Sequence, residues 1–125
     1  MYTLAISKSF SANHFLIGGD WGPENELHSH KYTVEVRLSG EQLNEHGYLV
    51  DIVQFEQVLD ALVGHYRDQT LNDQVEFKGL NPSIEHFTRI LAQTLGGHLQ
   101  ASNLNSIEVL VWEDDIAWAS FRRDI

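Results

Sequence analysis

The sequence has 125 residues, of which 42% are hydrophobic: enough for one domain with a real core, and too short for a second catalytic one. It contains no cysteine, which excludes disulfides and thiolate metal sites, so a bound metal must use histidine or carboxylate ligands. Eight basic residues against 18 acidic ones give a formal charge of −10, a surface that repels nucleic acid. No segment approaches the roughly 18 to 20 apolar residues of a membrane span, and the opening residues lack a signal-peptide core. The expectation is a cytoplasmic protein with neither nucleic acid nor membrane as partner.

Along the chain, Tyr2, Leu4, Ile6, Phe10, Ala12 and His14 share one parity, which predicts a strand from Tyr2 to His14 with one buried face, interrupted at Lys8. Residues 16 to 27 carry Gly18, Gly19, Asp20, Gly22, Pro23 and Asn25 and read as a loop. A cleaner alternation follows. His28, His30, Tyr32, Val34, Val36 and Leu38 face one way, and Lys31, Thr33, Glu35 and Arg37 the other.

Gly40 to Gly47 is a polar connection and Tyr48 to Asp51 a short extended piece. Phe55, Val58, Leu59, Leu62 and Tyr66 then follow helical spacing. Residues 67 to 80 read as a long loop. Asn81-Pro82-Ser83 announces a second helix, with Asn81 or Ser83 as cap and Pro82 in its first turn. Its stripe is Ile84, Phe87, Ile90, Leu91 and Leu95, and Gly96-Gly97 closes it. Ile107, Val109 and Val111 alternate with Glu108, Leu110 and Trp112. After the acidic turn Asp114-Asp115, Ile116 to Arg122 makes a last strand and a hairpin. The order β-β-α-α-β-β predicts an α+β fold: one domain over residues 1–125, with a four-stranded antiparallel sheet and both helices on one face.

His28 and His30 lie two apart on a strand, so both imidazoles leave the same face, and His14 ends the first strand on its buried parity. If the two strands pair as a hairpin, the three rings converge. Three neutral imidazoles with one open position suit a catalytic zinc. A His-x-His pair alone is common by chance, and the third histidine at an in-register strand end improves the case modestly.

Phe10-Ser-Ala-Asn-His14, a Gly-rich loop and Leu27-His-Ser-His-Lys-Tyr32 resemble the opening of the 6-pyruvoyl-tetrahydropterin synthase family, which includes the 6-carboxytetrahydropterin synthases of queuosine biosynthesis. Gly47-Tyr-Leu-Val-Asp51, Leu71-Asn-Asp73, Asn81-Pro-Ser-Ile-Glu85 and Val111-Trp-Glu113 are similar to further segments of that family, in the same order. The resemblance implies the tunnelling fold (T-fold) and Zn2+ held by His14, His28 and His30. It also implies a pterin ring gripped by Glu113, since a carboxylate accepts two hydrogen bonds from a 2-amino-pyrimidinone edge. Ser83, Ile84 and Glu85 then sit where the helix start completes the pterin pocket. A homo-oligomer, trimer or hexamer, with sites between subunits is implied as well, because the open sheet needs its edges covered.

Two positions depart from the family pattern. Its usual base is a cysteine four residues before the His-x-His pair, where this chain has Glu24, with Glu26 as a nearby competitor. A carboxylate serves as a general base when burial raises its pKa toward neutrality. A glutamate here resembles the subgroup that cleaves the side chain of dihydroneopterin triphosphate to 6-hydroxymethyl-dihydropterin. The family's Asp-His pair before Leu-Asn-Asp is replaced by Arg67 and Asp68. His65 could supply the lost imidazole, and Arg67 could bind an anion instead. The leading expectation is a zinc-dependent lyase with Glu24 as base and His65 and Asp68 as further catalytic candidates. The alternatives are a pterin- or purine-binding protein without synthase chemistry, and a zinc enzyme with a different substrate.

Overall fold

A computed structural model describes residues 1–99 and 103–125. Strands β1 (Tyr2–His14), β2 (His28–Gly40), β3 (Ser106–Glu113) and β4 (Ala117–Asp124) form one antiparallel sheet in that spatial order. Helices α1 (Ile52–Tyr66) and α2 (Ile84–Gly96) cover one face, α1 over β1 and α2 over β3 and β4. The architecture is that of the T-fold chain.

Alternation in the sequence becomes a buried face because strand side chains point to opposite sides in turn. Tyr32, Val34, Val36 and Leu38 of β2 are buried, with Ile107, Val109 and Val111 of β3 beside them. The helices add Phe55, Leu59, Val63 and Tyr66 from α1 and Phe87, Ile90, Leu91 and Leu95 from α2. Phe87 is central: its ring meets those of Phe10, Tyr32, Tyr66 and Phe77 at centroid distances of 6.2, 5.5, 5.0 and 5.5 Å. Burying one such ring contributes about 2–3 kcal/mol, so this cluster anchors the helical layer to the sheet.

The structure adds detail that the pattern lacked. Lys8 keeps the inward parity of β1, and its ammonium reaches Glu56 (3.6 Å) and Asp60 (3.3 Å) on α1. A long stem can cross apolar surface to a charged partner in this way. Tyr48 to Asp51, expected to be extended, joins no strand. Leu49 is buried there, and Asp51 caps α1 by accepting from the backbone N–H groups of Val53 and Gln54. The stretch 67 to 80, expected as plain loop, holds two 3-10 turns, Leu71–Asp73 and Val75–Phe77, which bury Leu71 and Phe77. Ser83 is the cap of α2, its Oγ accepting from His86 N–H at 3.1 Å.

Candidate metal centre

The register of the β1–β2 hairpin makes the site. His14 and His28 are direct cross-strand partners, and His30 stands opposite Ala12, two residues along the same face. The three rings form a triangle with centroid separations of 4.5, 4.9 and 4.8 Å, each pair edge to face. Ligand atoms of His14, Glu24, His28 and His30 all lie within 4.8 Å of one another.

Glu24 reaches the cluster from a 3-10 turn, Gly22–Asn25, inside the loop that joins the two strands. Asn25 ties this turn down. Its Oδ1 accepts from Trp21 N–H at 2.7 Å, and its Nδ2 donates to the carbonyls of Leu16 (3.1 Å) and Gly19 (2.9 Å). The chain just after His14 is held from the other side. Phe15 N–H donates to Asn72 Oδ1 (3.0 Å) while Asn72 Nδ2 donates to the Phe15 carbonyl (2.9 Å). Ile17 N–H donates to Asn81 Oδ1 at 3.1 Å. Both asparagines therefore act on the loop that carries the site.

Each histidine uses Nδ1 elsewhere. His28 Nδ1–H donates to the Glu26 carbonyl at 2.7 Å, and His30 Nδ1 binds the Asp114 carboxylate at 2.8 Å. His14 Nδ1 pairs with the Tyr32 hydroxyl at 2.9 Å, in a buried position. In a neutral imidazole, a protonated Nδ1 leaves Nε2 as a lone pair. The Nε2 atoms of His28 and His30 are buried without a hydrogen-bond partner. Glu24 Oε2 lies 2.8 Å from His28 Nε2, off the line a hydrogen bond needs. The cluster is thus a group of side chains capable of holding a metal ion. The donor set of nitrogen and carboxylate oxygen suits zinc, and engagement of the outer nitrogens is how metal-binding histidines are oriented.

Electrostatics point the same way. Burial, then the neighbouring His28 and His30, lower the pKa of His14 to about 4, with a hydrogen bond to the Pro82 carbonyl partly opposing them. His14 is therefore a neutral ring at neutral pH, as a metal ligand must be. Burial pushes the Glu113 carboxyl up from its ordinary value; His30 and His28 oppose this, while Asp114 and Glu24 add to it. The hydrogen bond from His30 and the Lys31 backbone N–H hold Asp114 low.

A family profile described as 6-pyruvoyl tetrahydropterin synthase matches residues 3–124. The chain belongs to this family. It is a variant in which a histidine–glutamate cluster stands in place of the usual histidine–cysteine set, in keeping with the absence of cysteine. An Archaeoglobus fulgidus protein with the provisional name 6-carboxy-5,6,7,8-tetrahydropterin synthase is 31% identical, over 96% of this chain and 95% of that one. The 6-carboxy-5,6,7,8-tetrahydropterin synthase of Bacillus subtilis is 28% identical, over 97% and 86%. The dihydroneopterin monophosphate aldolase of Pyrococcus furiosus is 28% identical, over 73% and 72%. Among solved structures, the 6-pyruvoyl tetrahydropterin synthase of Caenorhabditis elegans superposes with a TM-score of 0.84 at 21% identity, covering 98% of this chain and 95% of that one. A Plasmodium vivax 6-pyruvoyltetrahydropterin synthase, altered to alanine at a catalytic glutamate, superposes at 0.82 with 18% identity, covering 99% and 98%.

The remaining sequence candidates fall in two groups. Glu113, register partner of Tyr32, puts Oε1 3.7 Å from His30 Nε2 and borders the cluster, whereas Ser83 uses its hydroxyl to cap α2. His65, Asp68 and Glu85 stand outside the four-residue group. His65 faces Glu76 at 3.3 Å, on the wall of a cavity of about 760 Å³ between α1 and α2. Asp68, exposed with φ of 59°, donates its backbone N–H to Ser11, and Arg67 and Glu85 are exposed. Glu26 contributes its carbonyl rather than its carboxylate. Sequence reasoning missed Tyr32, Asn72 and Asp114 as supports of the cluster. Asn72 had a signal in the Leu71-Asn-Asp73 motif, whereas Asp114 had none.

Proposed function

We propose that this chain is a zinc-dependent lyase that cleaves the side chain of a phosphorylated dihydroneopterin, with His14, His28 and His30 as ligands and Glu24 as base. The observation that carries it is the Glu24 carboxylate, half exposed rather than buried, with an oxygen within 4.8 Å of the ligand nitrogens of the three histidines in a chain without cysteine. Two relatives lend support through their names: one is a dihydroneopterin monophosphate aldolase, and the other has a glutamate among its catalytic residues.

Bound at the three histidines, zinc would supply Lewis-acid polarisation of the substrate's side-chain hydroxyls. Glu113 accepts the two N–H groups of the pterin's 2-amino-pyrimidinone edge and sets the ring's orientation. Glu24 takes the proton of the hydroxyl on the second side-chain carbon. The bond between the first and second side-chain carbons breaks, and its electron pair passes into the conjugated ring. The first carbon then gains a proton. The products are 6-hydroxymethyl-dihydropterin and a two-carbon aldehyde that keeps the phosphate ester. His65 and Asp68 stay candidates for proton relay from a neighbouring subunit, and the reading includes a trimer or hexamer with sites between subunits.

A second reading is 6-carboxytetrahydropterin synthesis, favoured by two relatives of that name that match nearly the whole chain. Incubating zinc-loaded protein with dihydroneopterin triphosphate and monophosphate, and resolving the products, separates the two. Release of 6-hydroxymethyl-dihydropterin, abolished in Glu24→Gln, supports the lyase. A 6-carboxy product supports the second reading, and tight pterin binding without turnover overturns both.

A further inference from the structure

We infer that Asp114 is the positioning residue of this centre: from a left-handed turn it holds the His30 ring with Nε2 toward the cluster, while the same turn presents Glu113 to the same space. The inference rests on reading the cluster as a metal site.

Consecutive residues of a strand point to opposite faces. Glu113 ends β3 and Asp114 follows it, yet both carboxylates reach His30. Glu113 approaches Nε2 at 3.7 Å and Asp114 binds Nδ1 at 2.8 Å. The backbone makes this possible, because Asp114 has φ of 51°, in the left-handed region. Side chains generally avoid that region; aspartate and asparagine are among the few that tolerate it.

The turn is pinned to β2 beside His30. Asp114 N–H donates to the Lys31 carbonyl at 2.7 Å, and Lys31 N–H donates to Asp114 Oδ1 at 3.2 Å. Both carboxylate oxygens are thus used, Oδ1 on the backbone next to His30 and Oδ2 on its ring. With Nδ1–H given to a carboxylate, the imidazole has one tautomer and one orientation, and its Nε2 becomes a better donor to a cation. Glycine could hold the turn at no steric cost. An aspartate here serves the ring as well as the backbone.

The two roles separate in Asp114→Gly, which keeps the left-handed turn and deletes the carboxylate. Zinc affinity, measured by competition with a chromophoric chelator, is expected to fall about 10- to 100-fold while the zinc-free protein still folds and unfolds cooperatively. Asp114→Asn, which keeps one acceptor oxygen, should fall between. In the zinc-free protein above the ordinary histidine pKa, long-range 1H–15N spectra should show His30 as the Nδ1–H tautomer, and lose that preference in the glycine variant while His28 keeps its own. Wild-type zinc affinity and an unchanged His30 tautomer in Asp114→Gly would overturn the inference. A wild-type protein that binds no zinc but shows the Asp114-dependent tautomer would sink the metal reading and leave the positioning contact supported.

Discussion

The phenol of Tyr32 and the imidazole of His14 meet across the first hairpin at 2.9 Å, with both side chains buried. Tyr32 also stacks on Phe10 at 5.7 Å and meets Phe87 edge-on at 5.5 Å. The floor of the histidine cluster is therefore the hydrophobic core itself, and core and site share a residue.

Tyr32→Phe keeps the packing and removes the hydroxyl, leaving His14 Nδ1 buried and unpaired. The expected loss is about 1–3 kcal/mol, seen as a lower urea midpoint with an unchanged slope. Zinc affinity should fall as well, because His14 loses the contact that orients it.

Replacing His28 or His30 by alanine removes a proposed ligand whose Nε2 is buried and unpartnered. Elemental analysis of purified protein should find one zinc per chain in the wild type and a small fraction of that in either variant. Zinc at a thousandfold excess over its Kd should raise wild-type stability by about 4 kcal/mol and leave the variants' melting temperatures unchanged. Full metal stoichiometry in both alanine variants would show the assignment to be wrong.

Burial, with His28 and His30 beside it, lowers the pKa of His14 in the fold to about 4 from the ordinary histidine value of 6.5. The unfolded chain therefore binds this proton first as pH falls. The contribution of a neutral His14 to stability is complete above pH 6.5 and is lost progressively toward about 4. Denaturation of zinc-free protein across that window should show the slope, and His14→Gln should flatten it.

Asn72 bonds the backbone of Phe15 in both directions. Asn72→Ala should lower stability by about 1–3 kcal/mol, a fall of several degrees in the calorimetric midpoint. Weaker zinc binding should accompany it, because Phe15 adjoins His14.

Glu113→Gln retains shape and removes the charged acceptor proposed for the pterin edge. Pterin affinity by fluorescence titration should drop about tenfold or more, while zinc stoichiometry stays at wild type. In the wild type, burial raises the Glu113 pKa, so pterin binding should weaken as pH falls through that raised value.

Much of the fold could be read from the chain because one buried face imposes a short period. The parity of β1 and β2 places His14 and His28 at the ends of their strands, where the structure also has them. The stripes of α1 and α2 are equally plain, since thirteen to fifteen residues give several turns to compare. Tyr48 to Asp51 reads only as a short extended piece, because four residues carry too little pattern to show that Leu49 is buried and Asp51 caps α1. Lys8 looked like an interruption because nothing local shows that Glu56 and Asp60 lie over it.

The sequence by itself determined which side chains share a face, and hence that three imidazoles point one way. That information is local, carried by the two-residue repeat of an extended backbone. Only the tertiary structure decided what those imidazoles meet. The register sets His14 against His28, a loop turn brings Glu24 to them, and a left-handed residue 84 positions beyond His30 supplies the carboxylate for its ring. Such contacts depend on chain closure and on a single positive φ, and neither leaves a periodic trace in the sequence.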